Sequence, residues 1–317
     1  MILVYVDHEN GNVDPLSLQA ITFARSLGDA QIQAIVVGAP GRECAATLAE
    51  HGVDQILVAE HDALTDYAPV AAARAVIQTI ESGQPSLVLA AGSARGNEVM
   101  AHVAAITEQP LATDCFTIKI GAPTEVTRAR WGGNLIEHAK VHSEIALATT
   151  MQHVVQAEPA ATPGAGTVTT FTPVLADADL LVRVLERIGQ GGGGTSIAEA
   201  KVIVSGGRGV GSAEAFGSLE ELAKELGGVV GCSRVVTSEG WRPHSDQVGQ
   251  TGTKVAPDLY IACGISGATQ HIAGCKNSKM IVAINTDPEA PIMSHADYAI
   301  IGDLHQVIPA ITAALRS

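Results

Sequence analysis

VGQTGTKVAPDLYIACGISGATQHIAGCKNSKMIVAINTDPEAPIMSHADYAIIGDL occupies residues 248–304. Three short apolar runs punctuate it, at 259–263, 280–285 and 298–302, and each ends on glycine or a polar cluster. Runs of this length, rich in Ile, Ala and Val and bounded by Gly, Asn and Asp, read as strands covered on both faces. The segments 269–275 and 304–315 read as helices. Alternation of this kind makes a parallel sheet, whose ligands sit outside the carboxyl ends of the strands.

Upstream the same grammar continues, with a strand expected at 201–204, a helix at 214–226, a strand-like turn at 229–232 and a helix near Val248. Five polar motifs stand at the ends of these runs: SGGRGVGS (205–212), GCSR (231–234), QVGQTGT (247–253), GISGATQH (264–271) and AINTDPEAP (283–291). The glycines of SGGRGVGS allow close backbone approach to a phosphate, the next helix N-terminus favours an anion, and Ser212 is available to cap that helix. Many strand-to-helix turns are Gly-rich, so Arg208 is the sharper signal: it meets an anion or carboxylate, or projects as an ordinary surface cation. Arg234 reads as a phosphate or ring contact, or as a salt bridge to one of the 33 acidic residues. QVGQTGT encloses an amide and a hydroxyl between glycines, which favours a ligand loop over a solvated turn. His271 falls early in a helix, where the dipole disfavours a cation and leaves a neutral donor; a purely structural histidine is the alternative. Asn285 and Asp303 end strands on one presumed sheet edge, as ribose ligands or as helix caps, Asp303 standing just before Leu304. The chemistry common to all five motifs is that of a dinucleotide lying across strand ends.

The first half alternates too. Strands are expected at 2–6, 32–37, 55–58 and 87–91, and helices at 15–27, 42–51, 67–81 and after ARGNEV. From Asp114 the pattern changes to short strands at 115–120, 125–131, 135–141 and 145–149, with Gly132, Gly133 and Asn134 supplying positive φ at a hairpin. Edge elements are expected at 168–171 and 180–188. GQGGGGTS, at 189–196, has four consecutive glycines and reads as a linker between domains at 1–188 and 197–317.

A chain of 317 residues is long for one core, which agrees with two domains. A net charge of −14 argues against a nucleic-acid partner, which needs clustered cations, but leaves room for one dinucleotide held by a few Arg and backbone amides. Cys44, Cys115, Cys232, Cys263 and Cys275 form no C-x-x-C pair. They read as reduced core residues of a cytoplasmic chain, with no metal site. The opening MILVYVDHENG lacks a basic n-region and reads as a strand, not a signal peptide. No apolar run approaches the roughly 20 residues needed to span a bilayer.

The quoted run resembles the FAD-binding signature of the electron transfer flavoprotein α subunit. SGGRG and the Ser233–Arg234 pair fit the same family, and ARGNEV and RARWGGN resemble its N-terminal domain, so the resemblance covers the whole chain. It implies an α/β fold: an N-terminal Rossmann-like parallel-sheet domain that meets a partner subunit, and a C-terminal doubly wound FAD-binding domain. It implies a heterodimer with a β subunit that holds AMP. The pair would shuttle electrons, through the flavin semiquinone, from dehydrogenases such as those acting on acyl-CoA in fatty acid β-oxidation. The acceptor would be a flavoprotein–quinone oxidoreductase or another carrier, and the protein would turn over no substrate of its own.

By the same resemblance, FAD would be lined by Arg208, Ser233, Arg234, Val248, Gly249, Gln250, Thr251, Ser266, Gly267, Ala268, Thr269, Gln270, His271, Asn285, Asp303 and Leu304. Thr251 would offer its hydroxyl to flavin N5, His271 would approach O2 and Arg234 would lie over the isoalloxazine. Ser266, Gln270 and Ser233 would serve the ribityl and pyrophosphate, and Asn285 with Asp303 the adenosine end. A cation about 4 Å from an anionic flavin, at an effective dielectric near 20, is worth about 4 kcal/mol. At about 59 mV per tenfold for one electron, that is a shift of about 170 mV. Two departures lie near the ring: Thr253 intervenes before Lys254 where many members read GQTGK, and VVTSEGWRPHSD follows Arg234 where many have an AVDAG-like stretch. A bifurcating or nitrogenase-linked variant would need a further flavin on the partner. An NAD-dependent deacetylase would need zinc-binding cysteine pairs, and a nucleotide-binding sensor module would leave the C-terminal motifs unexplained.

Overall fold

The computed structural model describes residues 1–28, 30–184 and 196–316. The expected linker at 189–196, Ser196 apart, lies outside the described residues. So do residues 185–188 of the expected edge element; its described part holds the end of a 3-10 turn, Asp177–Leu180, and no strand. Two compact units are present, Met1–Gly189 and Gln190–Ser317.

The first unit runs β1 (Ile2–Val6), a two-strand ribbon of β2 (His8–Glu9) and β3 (Asn12–Val13), α1 (Pro15–Ser26), β4 (Ile32–Val37), α2 (Ala45–Glu50) and β5 (Gln55–Ala59). It continues α3 (Pro69–Gly83), β6 (Leu87–Ala91), α4 (Ala94–Thr107), β7 (Leu111–Lys119), β8 (Thr124–Arg130), β9 (Leu135–Val141), β10 (Ala146–Thr150) and β11 (Thr167–Phe171). Its sheet has the order β11-β5-β4-β1-β6-β10-β7-β8-β9 and is parallel except where β8 pairs with β7 and β9. Alternation along β1 feeds two cores: Ile2, Val4 and Val6 pack with α1, while Leu3 and Tyr5 pack with α3 and α4. Helix starts follow the local chemistry. Asp14 accepts the Ser17 N–H at 3.0 Å ahead of Pro15, and Ser93 accepts the Gly96 N–H at 2.9 Å. At the β8–β9 turn, positive φ falls on Trp131 (54°) and Gly133 (91°), whereas Asn134 is right-handed at −83°. The expectation for Asn134 is corrected by the turn's own bond, Asn134 N–H to Trp131 O at 3.3 Å, which closes a 3-10 geometry.

The second unit contains β12 (Val202–Gly206), α5 (Phe216–Glu225), β13 (Val229–Cys232), α6 (Arg234–Ser238), β14 (Leu259–Cys263), α7 (Thr269–Cys275), β15 (Ile281–Asn285), β16 (Tyr298–Ile301) and α8 (Leu304–Leu315). All five strands are parallel, in the order β13-β12-β14-β15-β16. The chain leaves β12 toward one edge and returns on its other side, so the switch point lies between β12 and β14. Tyr260, Ala262, Ile281 and Ala283 pack on one face with Ile272 and Cys275 of α7. Val204, Ile261, Cys263 and Ile284 pack on the other with α5 and α8. No helix forms at Val248. Its N–H goes to Cys232 O at 2.8 Å and it bridges Thr253, so residues 247–253 fold as a tight loop on the end of β13. All five cysteines are free and buried, and burial pushes their thiols up, Cys44 to about 11 and the others to about 12. Among the described residues, no helix is long and apolar enough to cross a membrane and no group of side chains forms a metal site.

Candidate functional site

Strand register sets the site. Cys232, Gly206, Cys263 and Ile284 stand in one row across the sheet, and the glycine and polar motifs leave from that row. Gly207 donates its N–H to Cys263 O at 2.9 Å, and Gly209 donates to Gly264 O at 3.1 Å. The loops after β12 and β14 thus press together backbone to backbone. A Cβ on Gly209 would lie 2.8 Å from Gly264 Cα, and Gly264 itself needs φ +61°. Contact between the two loops therefore requires these glycines whether or not a phosphate approaches.

A cleft of about 590 Å³ opens above this switch point, inside the range of about 300–1,000 Å³ usual for ligand sites. Its walls bring together Arg208, Ser233, Arg234, Val248, Gly249, Gln250, Thr251, Ser266, Gly267, Ala268, Gln270, His271 and Asn285. Thr269, Asp303 and Leu304 stand outside the lining. Thr269 opens α7. Asp303 caps α8, accepting the His305 N–H at 2.9 Å, at the end of edge strand β16, which is separated from the switch point by β14 and β15. Leu304 is buried in the core and lies where a Gly264 side chain would go. Sequence reading missed Gly209, Gln247, Gly264, Ile265, Asp287, Ala290 and Pro291, all inside the five motifs, and Val235 and Ser238 on α6, which carry no motif. Ser212 braces the turn before α5 through the Ala215 N–H at 3.3 Å; Ala215 itself takes the cap position.

Charge in the cleft runs against that of the whole chain. Arg208 and Arg234 are exposed, and among the described residues neither forms an ion pair, so the salt-bridge reading of Arg234 is not realised. Asp287 is the carboxylate in the lining. No side chain caps the start of α7, so its first amides remain available as donors. His271, 6% exposed, lies 2.9 Å through Nε2 from the Tyr260 hydroxyl. Burial pushes the imidazole down to about 4, only partly opposed by the Val248 backbone, so the ring is neutral at pH 7. Its Nδ1 is buried without a well-formed hydrogen bond. Asn285 ties neighbouring loops, donating to Ile265 O at 2.9 Å and accepting the Asp287 N–H at 3.1 Å.

The loop 247–253 is stitched to α7. Gln250 N–H donates to Gln270 O at 2.7 Å, and Val255 N–H to Gly274 O at 2.8 Å. Gly249 and Gly274 pack backbone on backbone at this seam. Thr251 therefore faces the cleft from a fixed frame.

The chain matches a family model described as the electron transfer flavoprotein domain over residues 2–176, and one described as the electron transfer flavoprotein FAD-binding domain over residues 196–276. It is 35% identical to "Electron transfer flavoprotein subunit alpha" of Bacillus subtilis (strain 168), covering 99% of this chain and 97% of the relative. Identity to the protein of that name from Mycobacterium tuberculosis (strain CDC 1551 / Oshkosh) is 40%, covering 100% and 98%. "Protein FixB" of Clostridium saccharobutylicum is 37% identical, covering 99% and 96%. With both units matched and the polar loops gathered on one cleft, the chain belongs to the electron transfer flavoprotein family, as an α subunit.

Proposed function

We propose that this chain pairs with a β subunit, holds FAD in the cleft of its second unit, and carries electrons from dehydrogenases to a respiratory-chain or other acceptor. FAD is the cofactor of the family's matched domain. The observation that carries the reading is the cleft at the switch point, which combines two guanidinium groups without carboxylate partners, uncapped helix amides and a buried, neutral imidazole. Those groups fit an anionic dinucleotide with a polar ring. The isoalloxazine supplies the redox chemistry, while the protein binds, orients and tunes it. In this reading Arg208, Ser233 and the start of α7 receive the pyrophosphate and ribityl. Thr251 and Arg234 face the ring, and His271 approaches it as a neutral group. Asn285 holds the loops at the adenosine end, where Asp303 would act from the rim of the sheet. AMP on the β subunit, donors of fatty acid β-oxidation and the absence of any substrate turnover belong to the same proposal. Five free, buried thiols support a reducing, cytoplasmic setting.

Co-expression with a β subunit, followed by an absorbance spectrum during stepwise reduction, tests this. A colourless heterodimer that refuses added FAD overturns it, and two flavins per heterodimer would point to the bifurcating variant. Arg234 is exposed, so solvent screening reduces its effect below the value for a buried cation. Arg234→Ala is expected to lower the potential of the first electron by about 60 mV, roughly a tenfold change in that equilibrium. Spectroelectrochemistry at low and high salt checks it, because a charge effect shrinks as salt rises. An unchanged potential removes Arg234 from the ring.

A further inference from the structure

Gln247 is 2% exposed, and its amide lies between two hydroxyls. Thr237 Oγ1 donates to Gln247 Oε1 at 2.7 Å, and Gln247 Nε2 donates to Thr251 Oγ1 at 3.1 Å. The backbone beneath is pinned: Gln247 N–H goes to His244 O at 3.0 Å, and Gln247 O takes the Thr253 N–H at 2.7 Å. Gly252 closes over it so tightly that an added Cβ would lie 2.8 Å from the Gln247 carbonyl carbon. The amide therefore works from an immobile base.

The Thr237 hydroxyl also lies 2.9 Å from Arg234 O, and its one proton cannot serve both acceptors. Two complete settings follow. In one, Thr237 donates to Gln247 Oε1 and Gln247 Nε2 donates to Thr251, whose own proton is then free to enter the cleft. With the amide turned over, Gln247 Nε2 donates to Thr237, Thr237 donates to Arg234 O, and Thr251 donates to Gln247 Oε1. Thr251 then shows the cleft only lone pairs. Among the described residues Thr251 makes no other side-chain hydrogen bond, so the amide alone sets its direction.

We infer that Gln247 is the positioning residue for the Thr251 hydroxyl, deciding whether a proton or a lone pair is presented to the ligand. The inference rests on the reading of the cleft as an FAD site. A relay that reverses without leaving any group unpaired suits a ligand atom that accepts a hydrogen bond in one oxidation state and donates one in the other. A threonine held by a fixed carbonyl could serve only one of them.

The test is the FAD midpoint potential of the heterodimer, measured spectroelectrochemically in wild type, Gln247→Met, Thr251→Ala and the double variant. Met fills the volume of Gln247 and forms no comparable hydrogen bond. The turned-over setting, which receives a proton from the reduced ligand, adds the Thr237 bond to Arg234 O and so favours the reduced state. Each single change is therefore expected to lower the potential, shifting the two-electron equilibrium about tenfold, or about 30 mV. The double variant is expected to match Thr251→Ala, because Gln247 acts only through that hydroxyl. A Gln247→Met protein with wild-type potential, or a double variant whose shift is the full sum of the singles, overturns the inference while leaving the FAD site intact. Should Gln247→Met fail to fold, Thr237→Val breaks the other end of the relay and is expected to move the potential in the same direction; no movement overturns the inference. Wild-type protein that takes up no FAD overturns the reading of the cleft and the inference with it.

Discussion

Gly267→Ala is expected to empty the cleft of FAD and to destabilise the second unit by about 2–5 kcal/mol. Gly267 holds φ +84°, a left-handed conformation that disfavours any side chain by about 1–2 kcal/mol. A methyl there would also fall on the backbone of Ile292, 2.6 Å from its Cα, and Ile292 is fully buried. Backbone in a packed core gives way only by moving, which costs about 1–3 kcal/mol more. That movement would displace Ser266, whose carbonyl accepts the Ile292 N–H at 3.1 Å, and Ser266 lines the cleft. Gly217→Ala is the control. It sits in α5 with nothing within 4 Å of the added methyl and should stabilise the protein by about 0.5–1 kcal/mol. Flavin absorbance per heterodimer and urea midpoints read both outcomes. Normal flavin content and an unmoved midpoint in Gly267→Ala would refute the steric account.

Acid should weaken the second unit through His271 by about 3 kcal/mol. Its folded-state pKa is depressed from 6.5 to about 4. Below pH 6.5 the unfolded chain therefore binds a proton that the native state refuses. The stability is complete above pH 6.5 and is lost as pH falls toward 4, after which this residue contributes no further slope. Asp7 and Asp14 act in the opposite sense, because burial raises their carboxyls, but they lie in the first unit. Half-buried Trp241 reports on the second unit, and Trp131 is 82% exposed in the first. Urea unfolding followed by Trp241 emission between pH 7 and 4 should show a slope approaching one proton, and His271→Gln should flatten it. Equal slopes in both proteins would mean that His271 does not titrate in this window.

The strands of the second unit were legible because both faces are covered, so Leu259–Cys263 and Ile281–Asn285 are nearly uninterrupted apolar runs. The motifs were legible because strand ends leave glycine and polar residues with no core to fill. What failed depends on distant partners. Residues near Val248 lack a helix because their amides go to Cys232, Gln270 and Gly274, none of them within helical reach. Asp303 caps α8 at the end of edge strand β16, a placement that strand order sets and the sequence alone does not. Tyr260 looks like any core strand residue, and its hydroxyl finds His271 only once α7 folds back over β14. Gln247 stood in a quoted motif, yet its importance lies in Thr237, which no motif marked.

The seam between residues 247–255 and α7 has an evolutionary consequence. Thr253 is held by Gln247 O and in turn receives the Gly249 N–H at 3.2 Å, within the frame fastened to Gln270 and Gly274. Lineage differences here, such as the threonine ahead of Lys254, would reach the cofactor as a displaced wall of the binding slot and not as one exchanged side chain. Drift in electron affinity among relatives should then follow changes at Thr253, Val255 and Gly274, the part of this joint that stands behind the lining.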